Sequence, residues 1–257
     1  MTRPPDTAFE AALRRDRLAV LAALAAAIAL AWAYLFAGAG TGMSASGMSH
    51  AAWTPGYAVL MCFMWWVMMI AMMLPGAAPV ILLFATLSRQ PRDAGHPRVA
   101  TSLFALGYLA AWAGFSLVAV ALQWGLERTA ILSPMAGATD AVPAAFLLFA
   151  AGAYQLTPFK HSCLRHCRTP LAFLACHWRP GVRGALRMGF AHGAVCVGCC
   201  WILMGLMFVA GLMNLYWIAG LALLVLCEKT VPVGHWLGYA SGVALLVWGG
   251  GTLAGIF

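Results

Sequence analysis

Long apolar stretches separated by short polar segments run along the whole chain. Each is close to the length of about 20 residues that an α-helix needs to cross the hydrocarbon core of a bilayer. The pattern predicts an all-α, polytopic integral membrane helical bundle with about seven transmembrane helices, or six if the first is cleaved as a signal peptide. The predicted spans are residues 18–37, 57–87, 101–124, 141–159, 188–211, 214–231 and 235–254.

The positions of these stretches divide the chain into a short N-terminal segment and one long domain. Residues 1–17 are predicted to form a cytoplasmic basic N-terminus, and residues 18–257 a single transmembrane helical domain. Within that domain, a basic inner loop containing Cys and His is expected at about residues 160–187. The first apolar stretch is longer than the 7–15 residues typical of a signal peptide, which favours an uncleaved anchor.

Composition and charge support this class and exclude others. The 257 residues are 63% hydrophobic and 9% charged, too few charges to cover a soluble enzyme. The net charge of +8 comes from basic clusters at one end of the apolar stretches. That asymmetry follows the positive-inside rule, so it predicts a multi-pass protein with a cytoplasmic N-terminus. Membrane lipid, and no nucleic acid, is therefore an expected partner.

Sulfur is abundant, with 14 methionines and 8 cysteines, and the second span carries much of it. On a helix, four of its methionines form a thioether row within about 80° of arc, and Met69, Met73 and Cys62 lie on the adjoining flank. Adaptable packing between helices is the alternative interpretation of such a row. The candidate metal ligands of this span are Met61, Met64, Met68, Met72 and Met73.

The fifth predicted span presents a second row of soft or borderline metal ligands, within about 120° of one helix face. Thiolate and thioether together favour Cu(I), whereas Zn²⁺ takes a closed tetrahedral set and hard cations take carboxylates. Packing of small apolar cysteines is again the alternative. The candidate ligands are His192, Cys196, Cys199, Cys200, Met204 and Met207.

Further candidates lie outside these two spans. Cys163 and Cys167 of the inner loop are four residues apart, so they share a face if the segment is helical, where they could bind Cu(I) or Zn²⁺. Glu228, with Lys229 beside it, is either an interfacial anchor or a carboxylate that helps to admit a cation or a proton. An outer loop adds Met43, Met48 and His50 as a weaker group.

Three segments in this order resemble a known family: MWWVMMIAMMLPGAAPVILLFA, YQLTPFKHSCLRHCRTP and GAVCVGCCWILMGLMFVAGLMNLYWIAGLALLVLCEKTVP. They are similar to a bacterial family of predicted metal-binding integral membrane proteins, a domain of unknown function that includes a membrane copper chaperone encoded beside tyrosinase. The resemblance covers about residues 55–235 and implies a place in the bacterial inner (cytoplasmic) membrane. It also implies metal handling by Met68, Met72, Met73, Cys163, Cys167, Cys196, Cys199, Cys200, Glu228 and Lys229.

The sequence therefore predicts a metal-binding membrane protein and not an enzyme. We expect it to bind Cu(I) at Met/Cys sites and to deliver or translocate it to a periplasmic or membrane cuproenzyme. The chain has no G-x4-G-K-[ST] nucleotide motif and no flavin motif. Two alternatives remain open. One is a membrane thiol or quinone oxidoreductase using Cys199 and Cys200 or Cys163 and Cys167; the other is a non-catalytic assembly subunit whose sulfurs only pack.

Overall fold

The computed structural model describes residues 8–38, 53–88, 97–133, 137–138 and 140–256, and this part of the chain is almost entirely helical. Two-residue strands β1 (Leu132–Ser133) and β2 (Gly137–Ala138) pair antiparallel. The all-α prediction is confirmed. The helices are α1 (Ala8–Phe36), α2 (Pro55–Leu87), α3 (Pro97–Arg128), α4 (Ala141–Gln155), α5 (Pro158–Arg168), α6 (Pro170–His177), α7 (Gly181–Gly205), α8 (Met207–Ala210), α9 (Leu215–Thr230) and α10 (Gly234–Leu253).

Several of these helices are long and apolar enough to cross a membrane. In the described part of the chain four segments qualify: Arg14–Phe36, Pro55–Leu87, Arg98–Arg128 and Gly181–Ala210. A fifth is added if the bent pair α4 and α5, which meet at 63°, forms one span. By length and composition, the structure thus supports four to five of the seven predicted spans.

Local sequence signals set where several helices begin. The Thr157 hydroxyl accepts a hydrogen bond from the Lys160 main-chain N–H, and Pro158 occupies the first turn of α5. A threonine followed by proline also opens α6 at Thr169 and Pro170. Capping hydroxyls and first-turn prolines both favour helix starts. The segment predicted as an inner loop is therefore helical over much of its length, and α5 places Cys163 and Cys167 one turn apart.

The helices are arranged around α2 and α7. Helix α7 packs along α3, α2 contacts α1, α3 and α9, and α4 pairs with α10. The short helix α5 lies against α7 and α9. The core between these helices is rich in fully buried methionine, so the sulfurs of α2 and α7 lie inside the bundle.

Glycines allow α3 and α7 to approach closely. A Cβ at Gly189 would collide with the main-chain carbonyl oxygen of Phe104, and one at Gly107 would collide with that of Leu186. Gly193, four residues after Gly189, is similarly crowded by α3. This small-x3-small spacing is typical of tightly packed membrane helices. It fixes α7, and therefore its cysteines, against α3.

Replacing Gly189 by alanine is expected to destabilise the protein by about 1–3 kcal/mol, because the added methyl group forces the two helices apart. Gly114→Ala on α3 is the matched control, since nothing lies within 4 Å of its Cβ position. There, alanine should be neutral or stabilising by up to about 1 kcal/mol. Thermal unfolding of both variants in detergent tests this prediction, and equal stabilities would contradict it.

Candidate metal centre

Three cysteine thiols converge where α5 meets α7. The sulfurs of Cys167, Cys196 and Cys199 all lie within 4.8 Å of one another. Cys196 and Cys199 are buried on one face of α7, and the partly buried Cys167 comes from α5. Three sulfurs bound to one ion at about 2.3 Å each would be about 4 Å apart. A small inward movement of the thiols would therefore complete a three-sulfur site.

A thioether and a fourth thiol adjoin this cluster. The Cys200 Sγ lies 3.8 Å from the Met73 Sδ, which joins the sulfur row of α2 to that of α7. The thiols of Cys199 and Cys200 donate to the main-chain carbonyl of Cys196, at 3.1 and 2.9 Å. Met73 and Cys200 are therefore positioned as neighbouring soft ligands.

A lysine from α9 reaches the same sulfurs. The Lys229 Nζ lies 2.9 Å from the Cys196 Sγ and 3.9 Å from the Met73 Sδ. Its aliphatic stem passes over Gly76, where a Cβ would lie 3.1 Å from the Lys229 Cδ. A buried ammonium needs a counter-charge. Lys229 thus supplies positive charge where metal-binding thiolates would be negative.

Tyr108 on α3 contacts the centre from another side. Its hydroxyl donates to the main-chain carbonyl of Met73 at 3.0 Å and lies 3.1 Å from the Cys196 Sγ. Since a phenol has a single proton, this geometry leaves the hydroxyl oxygen free to accept a hydrogen bond from the Cys196 thiol. Tyr108 therefore links the positions of α2, α3 and α7 at the sulfurs.

Glu228 takes part in a separate buried polar cluster. Its carboxylate pairs with the Lys160 Nζ at 2.7 Å and accepts from the Gln155 Nε2 at 2.9 Å. Gln155 also donates to Ser241 at 2.7 Å. Both Glu228 and Lys160 are at most 1% exposed, so the Glu228 carboxylate lies inside the bundle rather than on its surface. A metal-ligating role for Glu228 stays a prediction.

The other predicted ligands lie around the centre or farther along their helices. Cys163 packs against α7, with its Sγ 3.4 Å from the Cβ position of Gly198. His192 is buried one turn before Cys196, its ring beside Phe173 and its Nδ1 without a partner in the described chain.

The methionines extend away from the thiols. Met61 lies twelve residues before Met73, about 18 Å along α2, and the Gln123 Nε2 approaches its sulfur at 3.9 Å. The candidates Met43, Met48 and His50 lie outside the described residues. Five further candidates have side chains that are buried in the bundle core: Met64, Met68 and Met72 on α2, and Met204 and Met207 near the α7–α8 junction.

Three residues of the metal centre and of the neighbouring polar cluster could not be assigned a role from the sequence. Tyr108 is one aromatic side chain in an apolar helix, and Gly76 is one glycine beside Pro75. Lys160 belongs to a basic cluster and to the segment YQLTPFKHSCLRHCRTP, but neither predicts its pairing with Glu228. Their roles depend on contacts between helices far apart in the chain, which periodicity along one helix does not show.

Comparisons with known proteins agree with this chemistry. A family model described as PpoB2, copper chaperone, matches residues 62–252, which include all three clustered thiols, Met73 and Lys229. No curated protein and no solved structure matches the chain. The match covers well over half of the sequence and confirms the resemblance found in its motifs. The chain therefore belongs to the PpoB2 copper chaperone family.

Proposed function

We propose that this protein is a membrane copper chaperone that carries Cu(I) on the thiols of Cys167, Cys196 and Cys199. The observation that carries the proposal is the convergence of these three sulfurs within 4.8 Å. Copper is the cargo in this proposal, and the protein is a carrier rather than a catalyst. The family match independently supports copper.

The surroundings of the thiols favour Cu(I) over harder ions. Met73 adds a thioether, which is a soft ligand, next to Cys200. The nearby carboxylate of Glu228 already pairs with Lys160. Lys229 would offset the negative charge of a metal-bound Cys196 thiolate, which lowers the cost of keeping thiolates inside an apolar bundle.

We further propose that the chain spans the bacterial inner membrane seven times with its N-terminus in the cytoplasm. The basic clusters at one end of the helices support this orientation. With this orientation, the buried methionines of α2 extend from Met73 towards the periplasmic end of the helix, where Met61 lies about 18 Å away. Ligand exchange along these sulfurs would deliver Cu(I) to a periplasmic or membrane cuproenzyme.

Metal analysis and X-ray absorption on the purified protein test this function. After anaerobic loading with Cu(I), we expect about one tightly held ion per chain, with sulfur neighbours at about 2.3 Å. Loading with Zn²⁺ under the same conditions is the comparison, and it should give weaker retention. A copper spectrum dominated by nitrogen or oxygen neighbours, or preferential retention of Zn²⁺, would contradict the proposal.

A further inference from the structure

A cavity separate from the thiol centre opens between α5 and the start of α10. Its volume is about 530 Å³, and the side chains lining it include His161, Arg165, Arg168, His235 and Tyr239. The clustered thiols do not line it. Among the described residues that form its wall there is no carboxylate, so the cavity presents basic groups to whatever enters.

Two of these basic groups are held in place. The Arg168 Nη2 donates to the main-chain carbonyls of Val231 and Pro232, at 2.7 and 2.6 Å, which fixes its guanidinium at the α9–α10 turn. The His161 ring packs on Tyr239, with ring centroids 4.6 Å apart. The buried Nε2 of His161 has no hydrogen-bond partner in the described structure.

The nearest acidic group does not cancel this positive character. Gly238 lies between the cavity and the buried ion pair, since its Cβ position is 3.6 Å from the Glu228 Oε1 and 3.9 Å from the His161 Cε1. The Glu228 carboxylate is engaged by Lys160 and Gln155. The cavity therefore keeps the net charge of its arginines.

We propose that this cavity is a binding site for a phosphate group, carried either by an anionic lipid headgroup or by a free phosphate compound. Guanidinium groups bind phosphate oxygens through paired N–H donors, and imidazole N–H groups can add to them. The volume is sufficient for a headgroup, and basic pockets between membrane helices are a known form of headgroup site.

The surface around the cavity is suited to lipid as the source. Trp236 on α10 is 65% exposed, and its ring centroid lies 5.5 Å from that of His235 and 6.0 Å from that of Tyr239 in the cavity wall. Exposed aromatic side chains of this kind lie at the level of lipid headgroups in membrane proteins. The proposal does not rest on copper binding, because no thiol of the centre takes part.

Native mass spectrometry of the full chain in neutral detergent tests the site, with phosphatidylglycerol, phosphatidylcholine and inorganic phosphate as separate probes. The test variant is Arg165→Gln/His235→Gln, in which both replaced residues are exposed. The matched control is Arg183→Gln/His177→Gln, which makes the same changes at exposed positions outside the cavity. The single variant Arg165→Gln provides a milder test.

We expect the wild type and the control to bind phosphatidylglycerol equally and the test variant to bind it about tenfold more weakly, with phosphatidylcholine bound weakly by all three. If instead the test variant loses affinity for inorganic phosphate and not for phosphatidylglycerol, the proposal holds and a free phosphate compound is the source of the phosphate group. If neither anion distinguishes the cavity variants from the control, or if phosphatidylcholine binds the wild type as tightly as phosphatidylglycerol, the proposal is wrong.

Discussion

Replacing Cys167, Cys196 and Cys199 together by serine is expected to abolish stoichiometric binding of Cu(I). The three thiols supply the converging sulfurs of the centre, and a serine hydroxyl is a hard ligand with little affinity for Cu(I). On the scale of structural metal sites, each lost thiol should weaken binding by about a hundredfold. Competition with a colorimetric Cu(I) chelator measures these affinities.

The control for this experiment retains the cluster and removes other thiols. Cys62, Cys176 and Cys227 are free cysteines outside the group of three. Their combined replacement by serine should leave copper stoichiometry unchanged. If both triple variants lose copper equally, or if the cluster variant keeps it, Cys167, Cys196 and Cys199 are not the binding site.

Breaking the buried ion pair should produce the largest loss of stability. Lys160→Met leaves the Glu228 carboxylate without its ammonium partner inside the bundle. Removing one partner of a buried pair typically costs about 3–5 kcal/mol. Thermal or denaturant unfolding in detergent should show this loss, and the double variant Lys160→Met/Glu228→Gln should recover most of it.

An exposed ion pair supplies the comparison. Arg98 and Asp16 are paired at 2.6 Å, but the Arg98 side chain is 73% exposed. Arg98→Met should therefore cost about 1 kcal/mol or less. If Lys160→Met is no more damaging than Arg98→Met, or if the double variant is as unstable as the single one, the buried pair does not stabilise the fold as described.

Much of the fold follows from apolar patterning. Stretches of about 20 apolar residues predict helices whatever their neighbours are, and each predicted span contains a helix. The α5 segment is harder to predict, because its basic residues indicate a solvated loop. The helix begins at Thr157 and Pro158, which are a local signal for a helix start. The many basic residues that follow favour a loop in a sequence-based prediction, so this signal is overlooked.

The candidate site was predictable in part, for a similar reason. Helical spacing places Cys196, Cys199 and Cys200 on one face of α7 from sequence alone. It does not show which other helix faces them. The approach of Cys167 depends on the 63° bend between α4 and α5, and the contact of Lys229 with Cys196 joins α9 to α7. Such tertiary contacts are not encoded in the period of any single helix.

The division of the three thiols between two helices has a consequence for unloading. Cys196 and Cys199 belong to α7, which the glycine contacts hold rigidly against α3, whereas Cys167 belongs to the eleven-residue helix α5. Because Lys160 of α5 is held by Glu228, the helix itself need not move: rotation of the Cys167 side chain alone would lower the coordination number of a bound ion from three to two and leave a vacant position beside it. A sulfur ligand of a receiving protein could bind at that position before Cys196 and Cys199 dissociate from the ion. Copper would then pass between the two proteins by ligand exchange, without release as a free aqueous ion.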